Sequence, residues 1–228
     1  MALPASERHP RLAQARVYFV CDARPGGQEP TALLGAALAG GAGMLELREK
    51  SPGDDAWLVE AAGPFRDAAA DHAAPFILND RPDLVEPCGA DGVHVGQEDT
   101  PVGEARERLG PDLLIGFSTH SPEQIESACS APPEARPDYI SVGPVWKTPT
   151  KQGRPATGLE LIEHAAREAT LPWFAIGGID TSNIGDVVAA GAERIVVVRA
   201  IRDADDPAAA ARALREAVEA GTEAWADG

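Results

Sequence analysis

The sequence predicts a single-domain α/β protein, a closed barrel of eight parallel strands wrapped by helices. Three observations predict it. Short apolar runs recur eight times along the 228 residues. Ala-rich stretches with helical spacing of Ala, Leu and Val separate them, the alternation expected of βα units on a parallel sheet. The length suffices for one full core and not for two comfortable domains. Eight such units favour a closed barrel over an open doubly wound sheet.

The elements follow in order. Strands are expected at 17–21, 44–48, 76–79, 92–95, 113–118, 139–142, 173–176 and 195–198, each a short apolar run. Helices are expected at 31–39, 55–70, 122–128, 158–169, 183–190 and 207–220. The last begins at Pro207, and proline is at home in a first helical turn. Gly89-Ala90-Asp91 and Gly191-Ala192-Glu193 mark places where a helix ends and a strand begins. Residues 1–15 are expected as a loose arm, 16–220 as the barrel and 221–228 as a frayed tail. The long loop 143–158 carries Pro144, Pro149 and Pro155 with Lys147, Lys151 and Arg154. A loop of that length in a compact barrel is usually functional or disordered.

Composition narrows the function. The net charge of -16 argues against nucleic acid or an anionic membrane as partner. No apolar run reaches the roughly 18 residues of a membrane span, and the first 16 residues lack the apolar centre of a secretory signal. Cys21, Cys88 and Cys129 are odd in number and widely spaced. They fit a reducing cytoplasm better than a disulfide framework or a zinc site. A homodimer is left open.

In such a barrel the C-terminal strand ends face the active site. Polar residues collect there: Arg48, Lys50, Asn79, Asp80, Asp99, Ser118, Thr148 to Lys151, Gly177, Gly178 and Arg199. No comparable cluster is expected at the strand starts. The run 44–50 alternates strictly, so Leu45 and Leu47 share the helix-facing side while Glu46, Arg48 and Lys50 point inward. Inward charges need partners. Arg48 and Lys50 suit a diphosphate, and an internal Glu46–Arg48 ion pair is the structural alternative. Asp80 and Asp99 suit a magnesium ion that shares its ligands with phosphate and water. The alternatives are that Asp80 caps a short helix from Pro82, that Asp99 is a turn residue, and that Glu98 is the ligand instead. Gly177-Gly178 and Arg199, after the seventh and eighth strands, offer backbone N–H groups to a second phosphate. Thr148-Pro149-Thr150-Lys151 offers hydroxyls and an ammonium on a loop able to close over substrate. His94 lies inside a strand and is expected as a satisfied core histidine. His120, just past the fifth strand, is open between structural and site roles. No catalytic triad, P-loop, GxGxxG or HxxxH is present.

The segments Glu46-Leu47-Arg48-Glu49-Lys50, Asn79-Asp80-Arg81 and Asp91-Gly92-Val93-His94-Val95-Gly96-Gln97-Glu98-Asp99 occur in that order. They are followed by Gly116-Phe117-Ser118-Thr119-His120, Asp138-Tyr139-Ile140-Ser141-Val142-Gly143-Pro144-Val145 and Thr148-Pro149-Thr150-Lys151. Ile176-Gly177-Gly178-Ile179 and Val198-Arg199-Ala200-Ile201 close the set. Together, over about residues 15–215, they resemble the thiamine-phosphate synthase family.

The resemblance implies a TIM barrel and a magnesium-dependent transferase acting on two small phosphorylated substrates. An aminopyrimidine diphosphate and a hydroxyethylthiazole phosphate, with or without a carboxylate, would give thiamine phosphate and pyrophosphate. Glu46, Leu47, Arg48, Glu49, Lys50, Asn79, Ser118 and Lys151 would hold the pyrimidine diphosphate. Arg48, Lys50, Ser118 and Lys151 would assist its departure. Thr148, Thr150, Gly178, Val198 and Arg199 would hold the thiazole phosphate, and Asp80 and Asp99 the magnesium. Two positions depart from the family pattern, Glu46 where Gln is usual and Arg199 where Ser is frequent. Two other readings are carried: a thiazole tautomerase on the same barrel, needing neither metal nor diphosphate, and a non-catalytic sensor of thiamine precursors.

Overall fold

The computed structural model describes residues 5–50, 53–148 and 155–226, with side chains from residue 7 to residue 222 within those spans. Its eight strands form a closed parallel barrel in sequence order: β1 (Val17–Cys21), β2 (Met44–Leu47), β3 (Phe76–Asn79), β4 (Gly92–Val95), β5 (Leu114–Thr119), β6 (Tyr139–Val142), β7 (Trp173–Ile176) and β8 (Ile195–Val197). β1 pairs with β2 through Tyr18 and Met44 and with β8 through Tyr18 and Val196, which closes the ring.

The helices are α1 (Ala5–Gln14), α2 (Thr31–Gly40), α3 (Asp55–Ala61), α4 (Gly63–His72), α5 (Val85–Cys88), α6 (Val102–Leu109), α7 (Pro122–Ser130), α8 (Glu160–Glu168), α9 (Ile184–Ala189), α10 (Arg199–Arg202) and α11 (Pro207–Ala226). Local chemistry starts two of them. Asp54 accepts from the Trp57 N–H at 2.8 Å to cap α3, and Ser121 accepts from the Gln124 N–H at 3.3 Å to cap α7. The expected helix 55–70 is divided at Ala62, because Pro64 has no N–H to return to the chain four residues earlier.

Strand alternation sorts the core into two regions. Phe19, Leu45, Leu47, Phe76, Val93, Ile115 and Ile140 face the helices. Tyr18, Met44, Ile77, Leu114, Tyr139, Phe174 and Val196 fill the barrel interior. Both strand faces are buried, which explains the nearly continuous apolar runs.

Residues 1–15 do not behave as the expected loose arm over their described part. Residues 5–14 form α1, and Leu12 and Ala15 pack into the interior cluster, only 2 % and 1 % exposed. The charged residues of 1–15 hide this single apolar anchor in the sequence. The strand starts are also not devoid of polar residues. Arg8 Nε donates to Asp91 Oδ1 at 3.2 Å, and Arg106 donates to Asp138 at 2.7 Å. Asp91 and Asp138 in turn accept from the N–H groups of Phe76 and Ile115. This cluster anchors α1 over the N-terminal end of the barrel. At the other terminus α11 runs to Ala226, so the expected tail is helical over its described part.

Candidate active site

A cavity of about 600 Å³ opens at the C-terminal ends of the strands. Of the residues singled out from the sequence, Glu46, Arg48, Lys50, Asn79, Asp80, Asp99, Ser118, Thr148, Gly178, Val198 and Arg199 line it. Two do not. Leu47 is fully buried on the helix-facing side of β2, as its alternation with Glu46 requires. Glu49 lies beyond the end of β2 and is absent from the lining. Thr150 and Lys151 lie outside the described residues.

The β2–β4 wall carries the charge. Lys50 Nζ donates to Asp80 Oδ2 at 2.5 Å. Asp80 sits at φ 63°, a left-handed conformation that Asp tolerates better than most residues. Its N–H donates to the His94 carbonyl at 2.8 Å, which fixes the turn at the end of β3. Burial raises the Asp80 pKa; Lys50 opposes this, while the neighbouring Asp99 carboxyl raises it further. Asp99 Oδ2 accepts from the Gly96 N–H at 2.8 Å. Asp80 does not cap the turn at Pro82, where no side-chain cap is present. Glu98 is exposed and does not line the cavity. Asn79 presents a buried amide Nδ2 with no hydrogen-bond partner, a donor that a ligand can satisfy.

The donor set fits magnesium. Asp80 and Asp99 bring two carboxylates together, and among the described residues no group of three or more His, Cys, Asp or Glu is placed to hold a metal. Magnesium habitually takes one or two carboxylates and completes its shell with water and phosphate.

The β7–β8 wall offers backbone. Gly177 and Gly178 adopt φ 111° and 71°, and a Cβ on Gly177 would lie 2.5 Å from Pro144. Asn183 braces this turn: its Oδ1 accepts from the Asp180 N–H and its Nδ2 donates to the Gly178 carbonyl, both at 2.9 Å. Arg199, exposed, borders the same region.

The cavity floor holds a polar network that the sequence did not suggest. Tyr18 donates to Glu46, and the Tyr18 and Tyr139 hydroxyls lie 3.2 Å apart. His94 bridges Tyr139 at 3.3 Å and Ser118 at 2.9 Å. Ser141 donates to Ser118 at 3.3 Å. Tyr18, Ser141 and Asp180 also line the cavity but were not singled out. Tyr18 reads as an ordinary strand aromatic, and only strand parity could have placed it inward. His94 is buried and hydrogen-bonded as expected, yet it also reaches the cavity. His120 lines the cavity with Nδ1 2.5 Å from the Gly143 carbonyl. Burial pushes both phenols well above the ordinary tyrosine value, and the Glu46 charge adds to the effect.

Residues 17–201 match the family model described as thiamine monophosphate synthase. The chain is 46% identical to a thiamine-phosphate synthase of Arthrobacter sp. (strain FB24), over 92% of this chain and 97% of that protein. It is 47% identical to a thiamine-phosphate synthase of Mycobacterium bovis, with the same two coverages. A solved thiamine phosphate pyrophosphorylase from Pyrococcus furiosus superposes with a TM-score of 0.80 at 30% identity, over 93% of this chain and 98% of that one.

Proposed function

Because the chain belongs to the thiamine monophosphate synthase family, we propose that it joins 4-amino-5-hydroxymethyl-2-methylpyrimidine diphosphate to a hydroxyethylthiazole phosphate, releasing pyrophosphate. One observation supports this most. A single cavity faces Arg48, Lys50, Asp80 and Asp99 on one wall and the Gly177-Gly178 turn with Arg199 on the other. Two anions thus have two seats, one suited to a metal-bound diphosphate and one to a monophosphate.

The proposed reaction is a dissociative substitution. The bond from the exocyclic carbon to the diphosphate oxygen breaks, and its electron pair leaves with pyrophosphate. The aminopyrimidine ring stabilises the resulting cation, and the thiazole nitrogen lone pair then forms the new C–N bond. No side-chain nucleophile is required. Arg48 and Lys50 neutralise the departing charge, while Asn79 and Ser118 orient the pyrimidine substrate. Thr148, Gly178, Val198 and Arg199 position the thiazole phosphate. Lys151 and Thr150 remain part of this proposal from the sequence alone. Asp80 and Asp99 would hold magnesium, which when bound supplies charge neutralisation on the diphosphate.

The test is pyrophosphate release with both substrates, in magnesium and in EDTA. Release that requires both substrates and the metal, with thiamine phosphate formed, is expected. Turnover of a carboxylated thiazole phosphate alone would replace this reading with the tautomerase, for which His120 in the cavity would be the first residue to test. Tight binding without turnover would leave a sensor.

A further inference from the structure

We infer that Glu46, as a carboxylate, sets the direction of the Ser118 hydroxyl on the opposite side of the barrel, acting through Tyr18, Tyr139 and His94. The argument is a count of protons. These residues are all buried, between 0 % and 7 % exposed. A carboxylate only accepts, and each phenol has one proton to give. Tyr18 gives its proton to Glu46, so its oxygen can only accept from Tyr139. The Tyr139 proton is then committed to Tyr18, so its oxygen can only accept from His94 Nδ1. A neutral His94 is thereby the Nδ1–H tautomer, and its bare Nε2 accepts from the Ser118 hydroxyl at 2.9 Å, the nearer of two hydroxyls, since Ser141 stands 3.5 Å away and donates to Ser118. Ser118 thus turns its proton inward, away from the cavity.

The raised phenol pKa values agree with this count, since neither tyrosine loses its proton in the working range. The rings of the relay also pack against one another. The His94 and Tyr139 ring centroids are 5.6 Å apart, and those of Tyr18 and Tyr139 are 6.0 Å apart. Gly116 makes room for this packing. A Cβ there would lie 2.2 Å from Tyr139 Cζ and 2.4 Å from His94 Nδ1.

One consequence rests on the proposed function and refines it. With its proton turned inward, Ser118 meets a substrate N–H, such as the amino group of the pyrimidine, or a bridging water. The anionic oxygens fall to Arg48, Lys50 and Asn79. Glu46 is thus a positioning residue whose influence reaches Ser118 through the His94 tautomer.

The test needs no substrate. Imidazole ¹⁵N NMR of the whole protein reads the His94 tautomer, its signals identified by their loss in His94→Asn. In the wild type a proton on Nδ1 and a bare Nε2 are expected. A proton on Nε2, alone or on both nitrogens, overturns the inference. Glu46→Leu removes the acceptor at nearly constant volume. Tyr18 must then donate to Tyr139, and Tyr139 to His94 Nδ1, so the His94 proton should move to Nε2. Tyr18→Phe cuts the chain at its first link and should give the same reversal. A folded variant of either kind with an unchanged tautomer would refute the relay. These outcomes are independent of turnover, so failure here is distinguishable from failure of the synthase reading.

Discussion

Lys50 and Asp80 form an ion pair at the rim of the cavity, with Nζ and Oδ2 2.5 Å apart. The Lys50 side chain is 53% exposed and that of Asp80 23%, so the pair adds little to stability. On the proposed reading its value is in placement, beside the seat assigned to a metal-bound diphosphate. Asp80→Asn keeps the left-handed turn, which Asn also tolerates. It should leave thermal stability within about 1 kcal/mol of wild type. Turnover should nonetheless fall by about 100-fold or more, as should that of Asp99→Ala. Steady-state pyrophosphate release across a magnesium titration reads both, and undiminished activity of either variant would count against the metal assignment.

Asn183→Asp separates the two walls. The substitution keeps an acceptor for the Asp180 N–H but sets a carboxylate oxygen against the Gly178 carbonyl. KM for the thiazole phosphate should rise about 10-fold, a cost of about one good hydrogen bond. KM for the pyrimidine diphosphate should stay constant, which initial-rate measurements with each substrate varied in turn will show.

Gly116→Ala should be costly for a single methyl group. The new Cβ meets ring atoms of Tyr139 and His94 closer than any real contact. Overpacking of this kind costs about 1–3 kcal/mol, to be read as a lower urea midpoint at constant slope.

Alkaline titration reads the cavity floor directly. The chain has two tyrosines, Tyr18 and Tyr139, both buried with raised pKa values. A folded pKa above the unfolded one gives stability that is complete below about pH 10 and is lost as pH rises toward the folded value. Tyrosinate absorbance should therefore be absent from the native protein above pH 10 and should appear together with unfolding. A tyrosine titrating near its ordinary value in the folded state would contradict this.

The thiols should divide by environment. Burial pushes Cys21 up to about 12 and Cys88 up to about 11, whereas Cys129 is part-exposed. An aromatic disulfide reagent at pH 8 should label Cys129 alone in the native protein and all three cysteines in denaturant. Cys88→Ala should leave turnover unchanged, because the side chain packs among the outer helices.

The barrel was legible because alternation of apolar strands and Ala-rich helices is a long-range signal that no single residue can spoil. Five of the eight strands coincide with the sequence reading, for instance Val17–Cys21 and Trp173–Ile176; β2 and β8 end one residue early, and β5 shifts by one residue at both ends. The rim of the cavity was legible for a related reason. Arg48, Asn79, Asp80 and Ser118 are polar residues closing apolar runs. What escaped was chemistry carried by residues that look ordinary in their strands. Tyr18 and Ser141 become site residues through strand parity and the closure of the ring, which bring Tyr18 to Glu46 and Ser141 to Ser118. Leu47 and Glu49 show the converse. Neighbourhood in a motif brought them into the expected site, but strand parity turns Leu47 toward the helices and Glu49 does not line the cavity. α1 escaped because one buried leucine among charged residues has no periodicity to read.

Leu12 and Ala15 stop the far end of the barrel, with Met44, Ile77, Leu114 and Phe174 filling the interior above them. The molecule is therefore a cup and not a tube. Whatever enters must leave through the same doorway, so on the proposed reaction two substrates and two products share one opening at the C-terminal strand ends.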